Sequence, residues 1–346
     1  MKNIDIKNKV KSIKRSCFIA DAHLDLAYDI VRKRSYGGRN ILERDYYQDM
    51  LDGGLNLVIS SIFIETKYIP EMVLRRALMQ VEALLEDIEE SEHFEFCLGK
   101  SDVEAAYKNG KIAIMLSFEG VEPLYNDLEL LNVFKRLGVR GVGLCWSRRN
   151  NAADGSDFVE KRIGKRSGLS SFGLELLDKI ENHKMFLDLS HINDEGFSDS
   201  IEFFNGKIMV SHTNARSLNN TMRNISDDQI KTISDNRGFI GINGMNFTVS
   251  EDGSNDNVIG YCDHIDHVLK VGGEDCLGFG FDFNNIILRY IPEEELVNLP
   301  RKPFDCIDGY KEIPCIIEEL INRNYSEETI EKILGKNLLD FLGEVE

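Results

Sequence analysis

Eight short apolar runs rich in β-branched residues recur along this 346-residue chain, with stretches of helical periodicity between them. They fall at Cys17–His23, Leu55–Ile64, Ile112–Phe118, Gly141–Trp146, Met185–Leu189, Lys207–Ser211, Phe239–Asn243 and Cys276–Phe281. Near-continuous apolar strands alternating with helices describe a parallel sheet with helical crossovers. The intervening patterns include "PEMVLRRALMQVEALLEDIEE", with proline at its start, and "DLELLNVFKRLG", opened by an acid and closed by glycine. Eight such units are the number that closes a (β/α)8 TIM barrel, for which about 250 residues suffice. A doubly wound open sheet is the alternative. No strand is followed by a G-x-G-x-x-G or G-x-x-x-x-G-K loop, so nucleotide binding has no support.

The residues beyond the barrel's needs have recognisable places. We read 1–346 as one barrel domain with an N-terminal extension over 1–16 and C-terminal helices over 311–343. In "IPCIIEELINRNYSEETIEKILGKNLLDFLG" two amphipathic helices of structural role are expected, the second started by Ser326 with glutamates at capping-box positions. Two connections, "SRRNNAADGSDFVEKRIGKRSGLSS" and "NNIILRYIPEEELVNLPRKPFDCIDGYKE", are long enough to serve as lids or binding loops.

Charge and composition then exclude whole classes of partner. Lys and Arg number 41 against 59 Asp and Glu, and the resulting net charge of −18 repels nucleic acid and anionic membranes. No segment reaches the roughly 18 unbroken apolar residues of a membrane helix, and the N-terminus lacks the apolar core of a signal peptide. The seven cysteines are odd in number, scattered and free of any C-x-x-C, so disulfides are not expected. A cytoplasmic location is the expectation.

The chemistry collects at the ends of the strands. In "FIADAHLDLAY", residues 18–28, Asp21, His23 and Asp25 alternate, and on a regular strand they share one side. Burying such groups together without a partner costs several kcal/mol, roughly, so a cation belongs among them. Later strands end in "SFEG" with Glu119, "DLSH" with His191, "VSHTNAR" with His212 and "GFGFDF" with Asp282. Catalytic residues of barrels lie at these C-terminal strand ends. Three imidazoles and three carboxylates (His23, Asp25, Glu119, His191, His212 and Asp282) match the ligand set of a two-metal hydrolase. Zn²⁺, Mn²⁺ and Fe²⁺ all suit N and O donors. Asp21 is either a further ligand or an acceptor orienting His23. His264 and His267 share a helix face in "HIDH" and read as packing or solvated residues, His93 and His183 as surface ones. No cysteine neighbours a histidine in the manner of a thiolate nucleophile.

These motifs, taken in order, resemble the membrane dipeptidase (renal dipeptidase) family of binuclear zinc peptidases. The resemblance runs nearly end to end, through "DAHLD", "SFEG", "LGVRGVGL", "DLSH", "SHTNAR" continued by "RNISDDQI", "HIDHV", "GFGFDF" and "ELINRNYSEETIEKILGKNLLDFL". It implies a barrel of the metal-dependent amidohydrolase kind and two divalent ions, zinc by preference. His23 and Asp25 would hold one ion, His191 and His212 the other, and Glu119 would bridge them. Asp282 would handle the proton of the water between the metals, with Arg223 receiving the terminal carboxylate of a dipeptide. For assembly, the family and the frequency of two-fold oligomers both suggest a homodimer.

Two departures accompany the matches. Trp146, in "LCWSRRN", stands where mammalian members have a histidine thought to stabilise the oxyanion, so neither that arrangement nor the substrate preference carries over. Trp146 would instead plug the barrel top or form one wall of the substrate pocket. Asn284 in "DFNN" replaces an acidic residue, so the loop beyond Asp282 differs. No counterpart of the animal enzymes' secretory signal and lipid-anchor tail is expected. A metal-dependent dipeptidase is the leading expectation. An amidohydrolase acting on another small amide or cyclic substrate is the first alternative, and a non-catalytic barrel-fold binding protein the second.

Overall fold

The nine strands of the sheet pair in parallel throughout. They are β1 (Ala20–Leu24), β2 (Leu57–Phe63), β3 (Phe94–Phe96), β4 (Ile112–Glu119), β5 (Val139–Gly143), β6 (Phe186–Asp188), β7 (Ile208–Thr213), β8 (Phe239–Ile242) and β9 (Leu277–Phe279). The computed structural model describes residues 2–156, 167–290 and 301–345. Of the two long connections, 157–166 and 291–300 therefore lie outside the described residues.

The sheet runs β2-β1-β9-β8-β7-β6-β5-β4-β3, and an unbroken β2–β4 ladder from Leu57–Ala113 to Phe63–Glu119 closes eight of the strands into the barrel the alternation predicts. β3 is the ninth strand and has no place in the predicted set. It pairs only with Ile112–Ile114 of β4, and β5 takes the same edge further along, at Leu116–Glu119. Every barrel strand has a helix after it, as in Leu26–Ser35 after β1 or Asp194–Phe203 after β6. Ser170, Asn193 and Ser226 start three of these helices by accepting the N–H three residues on.

Local details depart from the expected boundaries. The first strand begins at Ala20 because Lys2–Ser16 is helical, burying Val10 and Ile13 in the core. The helix expected to open at Pro70 begins at Val73. Ser326 does cap its helix, accepting from the Thr329 N–H at 3.0 Å, but threonine holds the position where a capping box needs Glu or Gln, so the box does not form.

The barrel's interior is filled differently at its two ends. At the N-terminal end Ala20, Ala22, Leu57, Ile59, Ala113, Met115, Phe186, Met209 and Phe239, from six strands, meet in one apolar cluster. β5 contributes Gly141, whose absent side chain leaves room for the Phe186 ring; a Cβ there would lie 2.0 Å from it. Phe341, at the end of the helix Asn337–Phe341, meets Phe186 and Phe239 edge-on or tilted and closes this end of the barrel. Among the described residues no helix is long and apolar enough to cross a membrane.

Towards the C-terminal end the ladders break where the chemistry lies. Three residues of β1 from Asp21 to Leu24 advance against two of β2, Val58 to Ser60, and three of β7 from Val210 to Thr213 advance against two of β8. Such bulges re-aim side chains. His23 lies within the first bulge and His212 within the second.

Candidate active site

The six residues predicted to bind metal come together at the C-terminal mouth. The bulge in β1 turns His23 and Asp25 toward Glu119, at the end of β4. β7 supplies His212. His191 and Asp282 follow β6 and β9 in left-handed conformations, with φ of +67° and +53°, which are uncommon for residues other than glycine and tend to be kept at functional sites. The Nε2 of His191 lies 2.8 Å from both Glu119 Oε1 and His212 Nε2. His23 Nε2 stands 3.8 Å from Glu119 Oε1 and 3.9 Å from Asp282 Oδ1.

Asp21 does not join them. The bulge interrupts the alternation that puts it beside His23. Its oxygens accept instead from Tyr310 Oη at 2.7 Å and from the backbone N–H groups of Phe281 and His23. It braces the β1–β9 seam and leaves the His23 ring alone.

The electrostatics of the mouth call for a cation. Burial, and then the charges of Asp25 and Asp282, push Glu119 well above the usual carboxylate range. Burial raises Asp25 to about 6, and burial with the Asp25 charge raises Asp282 strongly. The imidazoles move the other way: burial and the nearby Arg223 lower His23 to about 3, and burial keeps His191 and His212 neutral as well. His23 Nε2 and Glu119 Oε2 are buried without a hydrogen-bond partner. Three donor groups arise among the described residues, each with donor atoms no more than 4.8 Å apart: His23 with Asp25 and Glu119, Glu119 with His191 and His212, and His23 with His212 and Asp188; the first two share Glu119. Neutral nitrogens and crowded carboxylates, some of them orphaned, are a donor set that fits divalent metal.

Arg223 is buried beside this cluster, its Nη2 3.2 Å from His191 Nε2. Trp146 stands at the side of the mouth, its ring 5.8 Å from that of His191 and 5.2 Å from Phe63. The Arg148 guanidinium stacks on Trp146 at 5.1 Å and pairs with Glu122. His264 is a packed residue as predicted, accepting from the Ala215 N–H and donating to the Val249 carbonyl, while His267 pairs with Asp227. Asn284 bonds the Asp282 carbonyl, and Asp305 accepts from the Asn284 and Asn285 N–H groups, which anchors the loop beyond Asp282.

The motif reading passes over five residues that hold the cluster. Ser61 donates to Asp25, Asn243 donates to Asp282 Oδ2 at 3.0 Å, and Ser147 meets His191 Nδ1 at 2.8 Å. Asp188 and Ser211 lie behind His212. The available signal is the repeated Ser-His pair, at 190–191 in "DLSH" and 211–212 in "VSH".

Comparison with known proteins agrees with this geometry. Dipeptidase tcpJ of Claviceps purpurea is 29% identical over 79% of this chain and 60% of its own length. An uncharacterized dipeptidase of Schizosaccharomyces pombe is 28% identical over 96% of this chain and 82% of its own length. The chain thus spans less than two thirds of the Claviceps protein. In fold, it superposes on a metallopeptidase from Rhodobacter sphaeroides, solved with a phosphinate mimic of the dipeptide L-Ala-D-Ala, with a TM-score of 0.82 at 22% identity over 95% and 99% of the two chains. The model of the membrane dipeptidase family, peptidase family M19, matches residues 7–346. This chain belongs to that family.

Proposed function

We propose that the chain is a metal-dependent dipeptidase that hydrolyses the peptide bond of dipeptides carrying a free C-terminal carboxylate. The observation that carries this reading is the pair of ligand groups sharing Glu119 beside a buried arginine. His23 and Asp25 would hold one divalent ion and His191 and His212 the other, with Glu119 between them; zinc suits this mixture of N and O donors. Two such ions would lower the pKa of the attacking water and polarise the scissile carbonyl.

The chain's own groups do the rest. Asp282 accepts the proton released as the water attacks and delivers it to the departing amine. Asn243 holds Oδ2 of that carboxylate, leaving Oδ1 on the side of His23. The guanidinium of Arg223 matches a carboxylate bidentately and fixes the substrate's C-terminus, which limits its length. Trp146, with a single N–H donor, walls the pocket and does not replace an imidazolium at the oxyanion. The dipeptide mimic bound by the Rhodobacter metallopeptidase supports the same substrate class.

Hydrolysis of matched dipeptides and their C-terminal amides tests the reading. The free acid is expected to be preferred, and Arg223→Lys should narrow the gap through kcat/KM by losing bidentate geometry. Equal rates on acid and amide would contradict dipeptidase action and favour an amidohydrolase of broader range.

A further inference from the structure

The residues behind the histidines form a hydrogen-bonded set whose protons can be counted. Asp188, at the end of β6, is buried. It accepts three times: Oδ1 from the backbone N–H groups of Ser190 at 3.0 Å and Ser211 at 2.9 Å, and Oδ2 from the Ser211 hydroxyl at 2.5 Å. A serine hydroxyl has one proton and can otherwise only accept. With that proton on Asp188, Ser211 Oγ must receive the Nδ1–H of His212, 2.9 Å away. His23 Nδ1 approaches the same oxygen at 3.5 Å, a longer and weaker contact.

A second count, starting from a different residue, reaches the same arrangement on His191. A guanidinium only donates, so the 3.2 Å contact from Arg223 Nη2 makes His191 Nε2 an acceptor. Its proton is then on Nδ1, 2.8 Å from Ser147 Oγ. Two Nε2 lone pairs thus face each other at 2.8 Å, one of them also 2.8 Å from a Glu119 oxygen. Neither ring brings a proton to this meeting point.

We propose that Asp188 and Ser211 are positioning residues that lock His212 in its Nδ1–H tautomer, keeping the Nε2 lone pair aimed into the mouth before any metal arrives. This deepens the metallopeptidase reading and rests on it for its purpose, though not for its readout. The lock needs Ser211 to stay where it is, and the fold provides for that. A Cβ on the neighbouring Gly241 of β8 would lie 1.9 Å from the Ser211 carbonyl oxygen, so only glycine lets the two strands close at this point. An Asp188 oxygen lies within 4.8 Å of ring nitrogens of His23 and His212, and in this account it braces rather than ligates, with three donors already on the carboxylate.

Nitrogen-15 spectra of the metal-free, histidine-labelled protein read the tautomer directly, with His212 assigned by the signal lost in His212→Gln. The wild type should show Nδ1 protonated and Nε2 bare. Asp188→Asn offers Ser211 an N–H in place of an acceptor, so the hydroxyl turns to donate to Nδ1 and His212 should switch to Nε2–H. Zinc affinity, measured by chelator competition, should fall about 10- to 100-fold in Asp188→Asn and Ser211→Ala. Ser211→Thr, which keeps the hydroxyl, should restore it to within about threefold of the wild type. A wild-type His212 protonated on Nε2 would overturn the proposal, and so would a folded Asp188→Asn with unchanged tautomer and unchanged zinc affinity. The wild-type spectrum needs no variant to fold, and it stands whether or not dipeptides prove to be the substrate.

Discussion

The two ends of this barrel are built from the same strands and solved in opposite ways. At the N-terminal end Met115, Phe186, Met209 and Phe239 pack on one another and under Phe341. Each needs only contact, which the chain itself supplies. At the C-terminal end three carboxylates and three neutral imidazoles share a buried mouth, where His23 Nε2 and Glu119 Oε2 have no hydrogen-bond partner. One end is complete when folded. The other is left with a donor set that fits divalent metal, and regular strand geometry is given up to build it: bulges at His23 and His212, left-handed backbone at His191 and Asp282. Stability is concentrated at one end, and strain and unbalanced charge at the other.

The largest effect that separates the ends is expected from Phe186→Ala. Emptying that ring's place should cost about 3–5 kcal/mol in denaturant unfolding, while turnover of the folded fraction stays unchanged. A comparable loss of turnover per folded molecule would show that the two ends are not independent.

A pH titration contrasts satisfied with unsatisfied burial. His264, with both nitrogens bonded, is held by burial at about 4, against about 6.5 in an unfolded chain. Its folded pKa is lowered, so the unfolded chain takes up the proton first as pH falls. The contribution is whole above about 6.5, declines between there and about 4, and amounts to about 3 kcal/mol at most. His264→Gln should therefore lose less stability than the wild type across that interval. Parallel profiles would remove His264 from the account.

Asp282→Asn should lower turnover by about 10² or more with most of the metal retained, because the proton acceptor is gone and the main ligands remain. Normal turnover at normal metal content would eliminate Asp282 as the proton carrier. The smallest effect belongs to Glu119→Gln in metal-free protein. The folded pKa of Glu119 is raised, so the wild type loses stability as pH climbs above the unfolded carboxylate range. The variant should gain on it in stability between pH 5 and pH 8. A variant less stable than the wild type at pH 8 would contradict the picture of repelling carboxylates at the mouth.

What the sequence revealed divides along the same line. The eight barrel strands were legible because apolar, β-branched runs report burial directly, and β3 was not, since Phe94–Phe96 is three residues pairing along part of one edge. The motif residues His23, Asp25, Glu119, His191, His212 and Asp282 were legible from their strand-end positions, and the structure brings all six to one mouth. Asp21 misled because alternation assumes a regular strand, and a bulge leaves no mark in an isolated sequence. Ser147, Asp188 and Ser211 went unread for another reason: serines and aspartates are common at strand ends, and what distinguishes these is contact with the rings, direct for Ser147 and Ser211 and through Ser211 for Asp188.

The central claim is that the C-terminal mouth is unfinished without two cations. Titrating the metal-free protein with Zn²⁺, with elemental analysis of the bound ion and thermal unfolding followed together, tests it most directly. Binding should saturate at about two ions per chain, and the unfolding temperature should rise over the same range, since only the folded mouth gathers the ligands. Saturation at one ion with full activity, or no rise in unfolding temperature on binding, would contradict it.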